Sequence, residues 1–200
     1  MSQLSTGPVS IGPVSIGPVS IGPVPAGPVS AAEEPIALPW RDEPKFQCFG
    51  CSPRNPVGLA LTLTRRADGT IAARTTLGAD YASYPGTVHG GILNVLVDEV
   101  MGDLIAIDLG VLAFCMTLRT KMLAPVRTGR VTTTVARLVD HGGELIRAEA
   151  DVLDEHGDVA VMASGTYQTI RAGTARELMG LDGAEFDRLQ HYFDHGLGSS

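Results

Sequence analysis

His89-Gly90-Gly91-Ile92-Leu93-Asn94-Val95-Leu96-Val97-Asp98-Glu99-Val100-Met101-Gly102-Asp103-Leu104-Ile105-Ala106-Ile107 is the stretch whose reading decides the fold. Apolar residues at Ile92, Leu93, Val95, Leu96, Val97, Val100, Met101, Leu104, Ile105 and Ile107 nearly encircle a helix drawn through it. A helix that is apolar on most sides belongs in the middle of a domain rather than on its surface. Gly110 follows as the expected C-terminal stop.

On the C-terminal side the period changes from helix to strand. Segments 114–123, 130–139, 145–153 and 159–170 are rich in Val, Thr, Ala and Leu and are separated by turn residues. Pro125 closes the first, and Asp154-Glu155-His156-Gly157 separates the last two. On the N-terminal side, 58–66 places Leu59, Leu61 and Leu63 on one face, Ala67-Asp68-Gly69 turns, and 71–77 returns. Consecutive antiparallel strands around one early helix indicate an α+β domain with its sheet wrapped on that helix. Leu178, Phe186, Leu189 and Phe193 carry helical spacing, so 174–195 is expected to dock as one C-terminal helix.

The ends read differently. Gly-Pro-Val begins at Gly7, Gly12, Gly17, Gly22 and Gly27, a period of five. Collagen needs glycine at every third residue, and this run favours neither helix nor packed sheet. Residues 1–35 are therefore expected to be a disordered repeat tail, 36–172 the folded domain, and 173–200 a C-terminal helix and tail. Residues 36–57 are dense in proline and turn residues and read as a structured entry loop. Trp40 and Phe46 within it are expected to cover the domain edge or the substrate pocket.

Charge bounds the partners. Lys plus Arg number 15 against 22 Asp plus Glu, a formal net charge of −7. No broad basic field exists, so a nucleic-acid partner is not expected. Arg127, Arg130 and Arg147 are candidates, by charge alone, for a local phosphate contact. No apolar run is long enough to span a bilayer, and the first basic residue is Arg41, which removes the basic start of a signal peptide. A soluble cytoplasmic protein with no membrane contact is the expectation. The three cysteines are Cys48, Cys51 and Cys115, an odd number that argues against a disulfide framework. Cys48 and Cys51 form a Cys-x-x-Cys pair, but zinc normally takes four ligands and the sequence offers no second pair. A structural loop is expected there, with no metal and no cofactor.

Chemistry concentrates on the central helix. His89-Gly90-Gly91 opens it, and a helix start exposes unpaired N–H donors and a positive dipole end. Glycine leaves those donors unobstructed, which suits an oxyanion developing on a thioester carbonyl. Asp98 sits between apolar neighbours, where burying a carboxylate is costly without a purpose. Asp98 and Glu99 point about 100° apart on a helix, so one of them at most is expected to face a given pocket. Asp103 and Asp108 read as solvated-face or helix-end charges.

The run from His89 to Asp98 resembles the His-Gly-Gly helix of hotdog-fold acyl-CoA thioesterases of the phenylacetate-degradation (PaaI-like) branch, which carry Asp or Glu nine residues after the histidine. Gly86-Thr87-Val88 before it and Thr117-Leu118-Arg119-Thr120-Lys121-Met122-Leu123-Ala124-Pro125-Val126 after it fit the same pattern. Cys48-Phe49-Gly50-Cys51 with Asn55-Pro56-Val57-Gly58-Leu59 is similar to an entry motif of one subgroup. The resemblance spans roughly 46–170. It implies a long central helix wrapped by a curved antiparallel sheet, an acyl-CoA or acyl-carrier substrate, and a homodimer or homotetramer with sites at the subunit interface. It further implies that the Gly90 N–H polarises the thioester carbonyl and that His89 positions the thioester. Asp98 from the partner's helix would act as general base or nucleophile. Gly91, Ser83, Thr117 and Cys115 would contact substrate. Two positions depart from the pattern: Ser83 stands where many relatives have Asn, and Cys115 where many have Ser or Thr. Thr117, two positions on and expected on the same strand face, would substitute. A non-catalytic acyl-thioester-binding module is the alternative function.

Overall fold

The computed structural model describes residues 33–195. Among the described residues seven strands form a single antiparallel sheet: β1 (Glu34–Ile36), β2 (Leu63–Arg65), β3 (Ile71–Thr76), β4 (Ala113–Met122), β5 (Val131–Asp140), β6 (Leu145–Leu153) and β7 (Val159–Thr169). Their spatial order is β1-β2-β3-β5-β6-β7-β4, so β4 is an edge strand. Helix α1 (Gly90–Leu109) lies between β3 and β4 in sequence and packs across β5, β4 and β6.

Small side chains let α1 come close. Register pairs Ile71 with Ala136, Ala136 with Ala150, and Ala150 with Ala163. This alanine row across three adjacent strands shares one core with Leu96, Val97, Val100, Met101, Leu104 and Ile105 of the helix, all essentially inaccessible. Large residues on the helix thus face short ones on the sheet, which fills the interior at the density folded proteins require.

The ends of α1 follow the sequence closely. His89 is its N-cap, in extended conformation, and its Nδ1 accepts a 2.8 Å hydrogen bond from the Gly91 N–H. Gly110 adopts the left-handed conformation at φ 63°, which glycine takes without a Cβ penalty. No described helix is long and apolar enough to cross a membrane.

Other expectations are corrected. Residues 58–66 form a strand only over Leu63–Arg65. The Leu59 and Leu61 N–H groups bond instead to the Phe49 and Gly50 carbonyls, and Ala60 takes φ 47° to allow it. The second strand of that edge is β1, whose Glu34 and Pro35 fall inside the expected tail; the pentapeptide repeat itself lies outside the described residues. The C-terminal segment is two helices, α2 (Ala172–Met179) and α3 (Gly183–His195), rather than one. Gly180 at φ 61° ends α2, and Asp182 and Glu185 restart the chain by each accepting a 2.9 Å bond from the other's N–H. Phe186 and Leu189 are buried as expected, Leu178 is exposed, and the Phe193 side chain lies outside the described residues.

Candidate active site

Asp98 reaches a cavity of about 400 Å³ between α1, the start of β4 and the entry loop. Its Oδ1 accepts a 2.9 Å hydrogen bond from the Tyr167 hydroxyl on β7. Tyr167 is buried, and Gly165, two residues before it on the same strand face, makes room for its ring: a Cβ there would stand 2.5 Å from it. Burial, and then the Asp98 charge, push the Tyr167 phenol far above its ordinary range, so it serves as a fixed donor.

Cys115 lies beside the same carboxylate. Partial burial first, and then the neighbouring Asp98, push its thiol up to about 12. β4 carries a bulge between Cys115 and Thr117, so Cys115 stands opposite Tyr167 whereas Thr117 stands opposite Thr166. An inserted residue reverses the alternation of faces. Thr117 therefore projects away from the face that Cys115 shares with Asp98, contrary to the expectation that it substitutes there. Trp40 and Phe46 both line the Asp98 cavity.

The His89 end is a separate place within one chain. His89 and Gly91 line a shallower depression with Phe49, Tyr81 and Ile92. A Cβ at Gly91 would meet the His89 ring at 3.0 Å, so this glycine lets the imidazole fold back over the helix start. Gly90 is the first residue of α1, where the N–H has no acceptor within the helix. Its carbonyl accepts a 2.9 Å bond from Asn94 Nδ2, and it abuts the Met122 methyl at the far end of β4. Ser83 is exposed in the loop before His89, with its N–H on the Thr87 carbonyl at 2.9 Å. Eight residues of helical rise separate Gly90 from Asp98 by about 12 Å, too far for both to act on one carbonyl from a single chain.

A second cluster shares the Asp98 cavity. Cys48, Cys51, Glu99 and Asp103 line it too. Both Asp98 and Glu99 thus face one cavity, and Asp103 is buried, which corrects both sequence expectations. The entry loop explains this: it covers the helix flank on which Glu99 and Asp103 stand, and a Cβ at Gly50 would fall 2.1 Å from the Glu99 carboxyl carbon. Cys48 Sγ and Glu99 Oε1 are 3.0 Å apart, within hydrogen-bond distance. The bond from the Cys51 thiol, aided by Glu99 and the Gly50 N–H, holds the Cys48 thiol down to about 5. Cys51 is pushed up by Cys48 and burial, and burial then Cys48 push Glu99 up to about 8. Burial, reinforced by Glu99, likewise raises Asp103 well above the usual carboxylate range.

The comparisons with known proteins concern the fold. No family model matches the chain, and no curated protein matches it by sequence. Among solved structures, a thioesterase superfamily protein is 28% identical with a TM-score of 0.55; the match covers 58% of this chain and 57% of that one, little more than half its length. A hypothetical thioesterase from Streptococcus pneumoniae, crystallised with coenzyme A, is 23% identical with a TM-score of 0.50 over 55% of this chain and 87% of its own. The PaaI protein from the phenylacetic acid degradation operon of E. coli is 17% identical with a TM-score of 0.51, covering 56% and 81%. A sheet curved round one buried helix, with a carboxylate on that helix facing a cavity, defines the class: the domain has the hotdog fold. That fold is what it has in common with the thioesterase superfamily protein and with the PaaI protein.

Proposed function

We propose that this chain hydrolyses acyl-CoA thioesters, with Asp98 as the carboxylate that activates the attack. The observation that carries this reading is the Asp98 carboxylate on a buried helix, aimed into a cavity and fixed by the Tyr167 hydroxyl. Coenzyme A in the similar Streptococcus structure supports the choice of thiol. As general base, Asp98 takes a proton from water while the oxygen adds to the thioester carbonyl. The Gly90 N–H stabilises the oxyanion, the C–S bond breaks, and the thiolate leaves with the proton to give free acid and thiol. As nucleophile, Asp98 would instead form a mixed anhydride that water cleaves. Label in the Asp98 carboxylate after a single turnover in ¹⁸O-water would establish the second route, since only water attack at the Asp98 carbonyl of the anhydride places it there.

The site is proposed to be completed by a second copy. Gly90 stands by Met122 and Asp98 by Cys115, towards opposite ends of edge strand β4. Met122 pairs with Val161 and Cys115 with Tyr167, both members of the helix-side core, so both ends present the same face. Antiparallel pairing of two β4 strands about a twofold axis would bring each chain's Met122 end beside the other's Cys115 end. Gly90 of one copy then approaches Asp98 of the other. His89 orients the helix start through its bond with Gly91. Arg127, exposed on the segment bridged to Thr87, offers a cation to the CoA phosphates near His89; Arg130 and Arg147 are engaged with Glu155 and Asp140.

The test is thiol release from a panel of acyl-CoA esters. Asp98→Asn is expected to lower kcat by about 10²- to 10⁴-fold while the fold is retained. Wild-type turnover in that variant would remove Asp98 from the mechanism. Ester binding by the wild-type chain with no thiol release on any ester would support a non-catalytic binding module instead.

A further inference from the structure

We propose that Cys48, Cys51 and Glu99 form a binding site for a thiophilic divalent cation of the zinc class, with Asp103 at its fourth position, directly or through a water. The Cys48 and Cys51 sulfurs and a Glu99 oxygen all lie within 4.8 Å of one another. Tetrahedral zinc holds sulfur at about 2.3 Å and oxygen at about 2.0–2.2 Å, which sets its donors roughly 3.5–4 Å apart. The Cys48–Glu99 pair, at 3.0 Å, has to open by about 0.5 Å and the other pairs close by about 1 Å at most.

Independent observations point the same way. Asp103 is one helical turn beyond Glu99 on the same face of α1, is 7% exposed, and lines the same cavity. Its Oδ2 is buried with no hydrogen-bond partner among the described residues. A buried carboxylate oxygen without a partner is costly, and a cation among these groups satisfies it. The loop is also shaped as a thiolate holder. The Gly50 N–H points at Cys48 Sγ at 3.3 Å, and the Ser52 N–H closes the turn on the Cys48 carbonyl at 3.2 Å. The Gly50 N–H thus orients a ligating sulfur and disperses its charge. Three donor groups converge from a loop and a helix, with Asp103 lining the same cavity. A disulfide between Cys48 and Cys51 would leave Glu99 and Asp103 buried without that partner.

Bound there, the cation ties the entry loop to α1 at the wall of the Asp98 cavity, on the residue next to Asp98. The proposal does not depend on the hydrolytic reading, because metal uptake is measured without substrate.

The test uses the full chain, reduced, stripped with chelator and titrated with cobalt(II), then zinc(II). One cobalt per chain is expected, with thiolate-to-cobalt charge-transfer absorption and displacement by zinc. In the unmutated chain zinc is expected to shield Cys48 and Cys51 from alkylation and to leave Cys115 reacting as before. Glu99→Gln and Asp103→Asn, which keep both thiols, are each expected to weaken affinity about tenfold or more. The proposal is overturned by equal alkylation of Cys48 and Cys51 with and without zinc, or by uptake without the charge-transfer band. Unchanged affinity in both carboxylate variants, or a Cys48–Cys51 disulfide that re-forms and excludes metal, overturns it as well.

Discussion

Asp98 has two neighbours that report on it in different ways. The Tyr167 hydroxyl fixes one carboxylate oxygen, so Tyr167→Phe removes a positioning contact while keeping the ring in the core. A loss of about 1.5–3 kcal/mol in stability is expected, as for a hydrogen bond to a charged group. An accompanying drop in kcat, larger than any change in KM, would mark the contact as positioning rather than structural. Steady-state kinetics beside urea unfolding separates the two; unchanged kcat in a folded Tyr167→Phe would discard the positioning role. Cys115 offers a second reading of the same geometry. A thiol held at about 12 has, at pH 8, on the order of a thousandfold less thiolate than an ordinary cysteine. Its alkylation at pH 8 should be correspondingly slow and should quicken about tenfold per pH unit up to pH 11, because only the thiolate reacts. Asp98→Asn removes the opposing negative charge, lowers the thiol's pKa and should speed the reaction. An equal rate in both proteins would show that the two groups do not interact.

Among the elements, α1 concentrates most of what the chain does, and Gly102 on it leaves open space where a side chain would stand. It lines the Asp98 cavity, and a Cβ built on it meets no atom within 4 Å. Gly102→Ala is expected to stabilise the domain by about 0.5–1 kcal/mol through helix propensity, read as a rise in Tm. Gly102→Phe would fill the cavity, so kcat/KM should fall most for the bulkiest acyl groups. An unaltered preference across the acyl panel would place the acyl group elsewhere. The same helix shows what a sequence can disclose. Its length, its N-cap at His89, its stop at Gly110 and its central position are all carried by residues close in the chain, so local physics reveals them. Asp103 looked solvated, and Glu99 was not expected to share a pocket with Asp98, because nothing local announces the loop that covers that flank. The Met116 bulge was equally hidden: it depends on where β4 meets β7, and its one extra residue moves Thr117 to the wrong face and leaves Cys115 beside Asp98. Tyr167 was legible only as a strand residue, since its partner lies 69 positions away. The shortening of β2 had one local trace, the dense turn residues of 48–58, but the bonds from Leu59 and Leu61 to Phe49 and Gly50 are a matter of tertiary pairing.

For the whole molecule the question is whether a catalytic centre is made by one chain or by two. The long edge strand β4 exposes Phe114 and Met122 at its ends, the ends that adjoin Asp98 and Gly90. An open edge with apolar ends invites another strand unless a partner covers it. If each centre joins Gly90 of one copy to Asp98 of the other, two inactive variants can restore each other. Gly90→Val crowds the helix start, and Asp98→Asn removes the carboxylate. In a mixed dimer both defects fall in one centre and the other is intact. Random pairing of equal amounts then restores about a quarter of wild-type activity per chain under twofold symmetry. Subunit exchange of the two purified variants, followed by thiol release, is the measurement. Recovery would have to appear with exchange and track the mixed species seen by native mass spectrometry. A mixed dimer that forms but stays inactive would place Gly90 and Asp98 in the same chain's centre or put one of them outside it. The 12 Å of helix between them then has to be bridged by the substrate itself.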